Sequence, residues 1–133
     1  MSLCKLLERY LNVKIQEVEM DVLESEGIIP VIIGNADDAV FIAKKIYRLS
    51  GHKAHIFSDR FTLLQKLKYK CHRVSLLNER VIECCLIDFA VYQEEFNTPA
   101  LIPCDERAIA FTAKYREELE PYYIIVDIKR HDF

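Results

Sequence analysis

The sequence predicts an α/β fold: a three-layer, doubly wound, mainly parallel sheet of about five strands, preceded by an extra N-terminal helical segment. Three observations predict it. The stretch Ile28 to Asp38 is a continuous apolar run that ends in Gly34, turns through polar residues and opens a helical pattern, the signature of a buried strand feeding a helix. From residue 28 to residue 126 short strand-like runs alternate with longer helical ones, and that alternation implies right-handed crossovers between parallel strands with helices on both faces. The chain has 133 residues, 51% of them hydrophobic and 29% charged, which suits one ordinary core rather than two domains or a disordered chain. The expected organisation is an N-terminal helical extension over 1–27, the α/β domain over 28–128 and a charged tail over 129–133.

In the extension, Leu3, Leu6, Leu7, Tyr10 and Leu11 follow helical spacing. Val18, Met20 and Val22 alternate as in a strand, while Leu11, Ile15, Val18 and Val22 keep helical spacing. The surrounding glutamates favour the helix. The first strand is expected at 28–33, with Pro30 near its start, where a missing N–H is tolerated. Asn35 or Asp37 caps the next helix, whose inner stripe is Ala39, Ile42, Ala43, Ile46 and Leu49, and Gly51 ends it. The second strand is placed at Lys53 to Phe57, a short helix at Phe61 to Leu67, and the third strand at His72 to Leu76. A longer helix over 79–93 turns Ile82, Cys85, Leu86 and Phe89 inward. The fourth strand is Ala100 to Pro103. Asp105 caps the helix whose stripe is Ala108, Phe111, Thr112, Tyr115 and Leu119. Pro121 blocks that helix, and the last strand is Tyr122 to Val126.

Composition narrows the function classes. The net charge is −3, without the basic excess of a nucleic-acid binder, so no nucleic-acid partner is expected. The Lys66 to Arg73 cluster reads as a solvated face. No apolar run approaches the ~18 residues of a membrane span. Charges at Lys5, Glu8 and Arg9 argue against a secretory leader. Five cysteines, at 4, 71, 84, 85 and 104, fit no zinc pattern and suggest a reducing compartment such as the cytoplasm. The histidines at 52, 55, 72 and 131 show no metal-ligand spacing and read as surface or strand residues.

In a doubly wound sheet, ligands sit beyond the carboxyl ends of the strands, where the strand order reverses. Those ends carry Gly34, Asn35, Ala36 and Asp37, then Ser58 and Asp59, then Asn78, then Pro103, Cys104, Asp105 and Glu106. If the first and fourth strands are neighbours, Asn35 and Asp105 flank one crevice. A dinucleotide site there fails on residues: Gly34 stands alone where three glycines are needed, and Asp37 and Asp38 would repel phosphate. No nucleophile elbow or lysine-bearing phosphate loop is present. Cys104 is the one thiol at such an end, where a helix N-terminus would lower its pKa. It carries a minor reading, a thiol-dependent enzyme. The candidate substrate-binding residues are Gly34, Asn35, Asp37, Ser58, Pro103, Cys104 and Asp105, with no catalytic or metal-ligating residue expected.

The run Leu101-Ile102-Pro103-Cys104-Asp105, the helix ending Tyr115-Arg116-Glu117-Glu118-Leu119 and the strand Tyr122-Tyr123-Ile124-Ile125 resemble the end of the N-terminal pre-ATP-grasp domain, Rossmann-like, of carboxylate–amine ligases of the D-aspartate ligase-like group. The opening Pro30 to Gly34 and the unit Gly51, Ala54, Ile56, Phe57 are similar too, so the resemblance covers about 28–128. The first turn is poorer in glycine than the family's. The resemblance implies a non-catalytic module that forms one wall of the substrate cleft and helps hold a small-molecule acceptor. It implies no cofactor in this chain. ATP and Mg are expected with an ATP-grasp catalytic domain or partner subunit, which these 133 residues do not contain. The alternative reading is a free-standing small α/β binding or oligomerisation protein, a possible homodimer docking through the Leu3 to Leu11 stripe.

Overall fold

The structure is a computed structural model, and it describes residues 27–93 and 97–126; the expected N-terminal helix and charged tail lie outside the described residues. Ten elements follow in order: β1 (Ile28–Ile33), α1 (Ala36–Ser50), β2 (His55–Ser58), α2 (Leu63–Lys68), β3 (Lys70–Arg73), α3 (Glu79–Val91), β4 (Thr98–Pro103), α4 (Glu106–Lys114), α5 (Arg116–Leu119) and β5 (Ile124–Ile125). The five strands form one sheet in the order β3-β2-β1-β4-β5, and every pairing is parallel. This is the predicted α/β sheet with flanking helices.

The sheet separates two apolar clusters because successive side chains of a strand point to opposite faces. Ile28, Ile32, Ile56, Ala100, Ile102 and Val126 face α1 and meet its Ala39, Ile42, Ala43 and Ile46. Val31, Ile33, Phe57, Leu101 and Ile125 face the other way, against Ile82 and Leu86 of α3, Ala108 and Phe111 of α4, and Leu119 of α5. β1 and β4 are in register over their whole length, from Ile28 beside Thr98 to Ile33 beside Pro103. Burial gives each of the fully enclosed isoleucines Ile32, Ile33 and Ile102 about 1.5–3 kcal/mol. Tyr123 ties the second layer down: its hydroxyl donates to the Leu86 carbonyl at 2.5 Å, and burial raises its pKa.

The helices start and stop where local chemistry dictates. The Asn35 side chain accepts from the N–H groups of Asp37 (2.9 Å) and Asp38 (3.4 Å), and these two acids face the positive end of the α1 dipole. Gly51, at φ 78°, ends α1 by donating its N–H to Tyr47, a left-handed turn suited to glycine. Thr62 and Gln65 close a reciprocal capping box on α2. Asn78 caps α3 and Asp105 caps α4.

The structure moves several boundaries. β2 is His55–Ser58 and β3 is Lys70–Arg73, two residues earlier than the sequence placed β3. The capping box fixes the start of α2, its last turn closes at Tyr69, and the chain enters β3 at once. Val74 then donates to the Ser58 carbonyl at 2.8 Å as the chain leaves the sheet. β4 begins at Thr98 because it pairs with Ile28 from the first residue. The expected single helix to Leu119 is divided into α4 and α5 at Tyr115. β5 shortens to two residues.

Candidate functional site

The strand order reverses between β1 and β4, so the turns after these two strands share one crevice. The sequence anticipated that neighbourhood, and the contact is direct. Asp105 spans it. One carboxylate oxygen accepts from the Ala108 N–H at 2.8 Å, capping α4. The other accepts from the Asn35 N–H at 2.7 Å, across the switch point. Cys104 lies beneath, its N–H donating to the Ile33 carbonyl at 2.9 Å and its thiol directed to the Asn35 carbonyl at 3.6 Å. Gly34, at φ 141°, completes the closure. A Cβ there would lie 2.5 Å from Cys104 Sγ and 2.8 Å from Asp105 Oδ2, and this backbone conformation itself favours glycine. Gly34, Asn35, Cys104 and Asp105 thus form one interlocked cluster, with Pro103 beside Ile33 at the end of the β4 ladder.

The other two candidates stand apart. Asp37 projects from the first turn of α1, where its Oδ1 accepts from Gln65 Nε2 at 3.1 Å. Ser58 ends β2 fully buried, its hydroxyl without a hydrogen-bond partner. Strand alternation places it on the α1 side with Ile56.

Cys104 is not an activated thiol. Burial raises its pKa most, the charges of Asp105 and Asp38 add to that, and the backbone hydrogen bonds at Cys104 and Asn35 only partly oppose them. The expected lowering by a helix N-terminus loses to desolvation and two carboxylates.

Beside the sealed crevice lies an open cleft of about 460 Å³ between the β1–α1 and β2–α2 turns. Asp37 and Asp59 give it negative charge, Arg60 positive charge, Phe61 an apolar wall, and Thr62 and Gln65 amide and hydroxyl groups. Arg73 steadies the second turn by donating from Nε to the Asp59 carbonyl at 3.2 Å. A smaller hollow of about 80 Å³ lies on the α3 and α4 side, lined by Ile33, Leu76, Glu79 and Arg107 among others.

The switch-point crevice does not fit the phosphates of ATP. The crevice that would take a phosphate already holds the Asp105 carboxylate, and Asp37 and Asp38 stand on the same helix start. Among the described residues no three His, Cys, Asp or Glu side chains are grouped to hold a metal ion. The arrangement can instead orient a small zwitterion: carboxylates for an ammonium group, Arg60 for a carboxylate.

The sequence reading missed Thr62 and Gln65 as cleft residues and took Arg60 only as a counterweight to the acids of the rim. It also missed a histidine pair. His55 Nδ1 and His72 Nε2 are 2.9 Å apart, with Phe57 stacked on His72 at 4.4 Å and Phe89 of α3 edge-on to it at 5.4 Å. Burial, then the charges of His72 and Lys70, lower the His55 pKa to about 4. Burial, then Lys70, also lowers that of His72. The parallel register sets Phe57 beside His72 and His55 beside Lys70 and so brings the two rings together; with β3 misplaced, residue spacing alone carried no signal for the pair.

No protein-family model, curated protein or solved structure matches this chain. Among the described residues no helix is long and apolar enough to cross a membrane.

Proposed function

We propose that this chain is a non-catalytic, cytoplasmic module of an ATP-dependent carboxylate–amine ligase, of the pre-ATP-grasp kind, which forms one wall of the substrate cleft. The observation that carries this reading is the rim at the carboxyl ends of β1, β2 and β4. It is shaped and charged, with Asp37, Asp59 and Arg60 around an open cleft, yet its switch-point crevice is filled by Asp105. Such a rim suits an amine-bearing acceptor and leaves nucleotide and magnesium to an ATP-grasp catalytic domain or partner subunit. The residues quoted above for the resemblance, from Leu101 to Asp105 and from Tyr115 to Ile125, support the same assignment.

The test is kinetic. With the ATP-grasp catalytic region supplied, in the same polypeptide or a second one, Asp37→Ala combined with Asp59→Ala raises KM for the amine acceptor at least fivefold. KM for ATP stays unchanged. ATP turnover by the 133 residues alone, or an effect confined to KM for ATP, would overturn the reading.

A second reading is a free-standing binding or oligomerisation protein. The exposed face of α2 favours it: Leu63, Leu64 and Leu67 are 74%, 62% and 75% exposed, and single exposed leucines are common where three on one short helix are not. On this reading sedimentation velocity finds a dimer that Leu63→Ser with Leu64→Ser dissociates. A monomer at every concentration removes it.

A further inference from the structure

Charge is unevenly placed along this chain. Between Ala39 and Asn78 stand nine Lys or Arg and a single acid, Asp59, although the net charge of the whole is −3. Five of the nine converge. Lys44 and Arg48 of α1, Lys53 before β2, Lys68 at the end of α2 and Lys70 at the start of β3 line a basic groove of about 830 Å³, and no Asp or Glu lines it. All five are exposed, and none forms a salt bridge among the described residues. Lys44 and Arg48, four residues apart on one helix, repel each other. A concentration of one sign at one face attracts an anionic partner, and salt weakens that attraction.

An apolar feature adjoins the groove. α2 has no buried residue, and its Leu63, Leu64 and Leu67 are all exposed, at spacings of three and four that set them on one stripe. The helix is nonetheless firmly anchored. Its capping box ties the first turn, and Gln65 donates to Asp37 of α1 at 3.1 Å. Phe61 and Tyr69, just before and just after it, pack against the α1-side core. These anchors fix the leucines outward. Leu67 belongs to both features, because it also lines the groove with the exposed Tyr47. Asp37 and Asp59 stand toward the other end of α2, in the mixed-charge cleft with Thr62 and Gln65.

Cations beside protruding aliphatic side chains match a bilayer in both respects, since its headgroups are anionic and its interior is apolar. A nucleic acid would meet the cations and leave three leucines in water. A two-fold dimer through the leucines would bring the cations of two chains together. We propose that the α1–α2 surface docks on an anionic membrane, its five groove cations against lipid headgroups and Leu63, Leu64 and Leu67 among the upper acyl carbons. Neither part suffices alone: the charge draws the chain to the surface, and the leucines hold it there.

Vesicle flotation with a built-in reporter tests this. The chain has no tryptophan, so Leu64→Trp at an exposed position supplies a single fluorophore in the full chain. Vesicles of phosphatidylcholine alone are compared with vesicles that also contain phosphatidylserine. The expected result is at least fivefold more protein on the anionic vesicles, with the tryptophan emission shifted to the blue and quenched by bromine-labelled acyl chains. Binding falls at least threefold in 1 M salt. Lys44→Glu with Lys68→Glu and Lys70→Glu lowers it at least tenfold, and Leu63→Ser with Leu67→Ser lowers it at least threefold at unchanged charge. Equal binding to neutral vesicles, no binding to either, or a tryptophan that stays in water on floated protein would overturn the proposal. So would a blue shift that arises without vesicles and grows with protein concentration, which assigns the leucines to a second copy. Binding of a dT12 oligonucleotide in place of vesicles would assign the cations to a nucleic acid and overturn it likewise.

Discussion

Every residue of β4 from Pro99 to Pro103 is buried, whereas no residue of β3 or α2 is. The two regions belong to one sheet, two strand spacings apart, and are held by different forces. β4 and β1 lie between helical layers, and their stability is apolar area removed from water plus a self-made polar lock of Gly34, Asn35, Cys104 and Asp105. The β2–β3–α2 corner is held by a capping box, a histidine pair and aromatic stacking, with its leucines turned outward. The contrast separates what the fold needs from what it has to spare. The inner strands specify the architecture, and the outer corner lies between the mixed-charge cleft and a groove lined by Lys44, Arg48, Lys53, Lys68 and Lys70.

The contrast is sharpest in paired truncations. Ile102→Ala, which empties a fully buried position, is expected to destabilise by about 3–4 kcal/mol, while Leu64→Ala on α2 changes stability by less than about 0.5 kcal/mol. Urea unfolding of both variants checks this, and similar losses at the two sites would erase the distinction. Gly34→Ala comes next. It forces a Cβ against Cys104 and Asp105 in a backbone conformation unfavourable for alanine, with an expected loss of about 2–3 kcal/mol. Combining it with Cys104→Ala removes the nearest clash and should recover part of that loss but not the backbone strain. Full recovery would show that space alone explains the glycine. Asp105→Ala follows, at about 2 kcal/mol, for the lost α4 cap and the charged hydrogen bond to Asn35. Amide exchange at Asn35 and Ala108 should quicken together in that variant, since both N–H groups share the one carboxylate.

The outer corner has its own smaller signature, in pH. His55 titrates at about 4 in the fold and near 6.5 when unfolded. Above pH 6.5 both states are neutral and the full stability is present. Between 6.5 and about 4 the unfolded chain takes up the proton first, so stability falls with pH, and below about 4 the slope from this group ends. His72 shifts in the same direction. The loss is about 1–2 kcal/mol once solvent screening of the half-exposed ring is allowed for. Urea midpoints measured from pH 7.5 to 4.5 should fall more steeply for the wild type than for His55→Gln. Parallel slopes would remove the histidine pair from the balance.

How much of this the sequence disclosed follows the same division. α1 and α4 were legible because each joins an apolar stripe to a capping side chain, Asn35 and Asp105, and all of the Ala108, Phe111, Thr112, Tyr115 and Leu119 stripe is buried. β1 was legible as an apolar run. The crevice between Asn35 and Asp105 was legible once the strand alternation implied a parallel sheet, although its closure by the Asp105 carboxylate was not, because only the coordinates reveal which N–H a side chain meets. β3 was misplaced since Lys-Cys-His-Arg, on an edge with little burial, has no apolar pattern to read. The short helix expected at Phe61 to Leu67 was legible, but not that its leucines face outward. The basic groove stayed hidden because its cations stand at 44, 48, 53, 68 and 70 and converge only when α1, β2 and β3 are laid side by side. The Lys66 to Arg73 cluster, read as a solvated face, supplies two of them.

The carboxylate of Asp105 has a consequence for selectivity. Because the fold holds it against the N–H groups of Asn35 and Ala108, its local concentration far exceeds that of any dissolved anion in a cell. Phosphates and small organic acids must displace it before they can enter the switch point, so the crevice rejects them before shape is consulted. A fold that usually advertises an anion seat at this point carries here a permanent, covalently attached competitor, and ligand choice passes to the neighbouring loops.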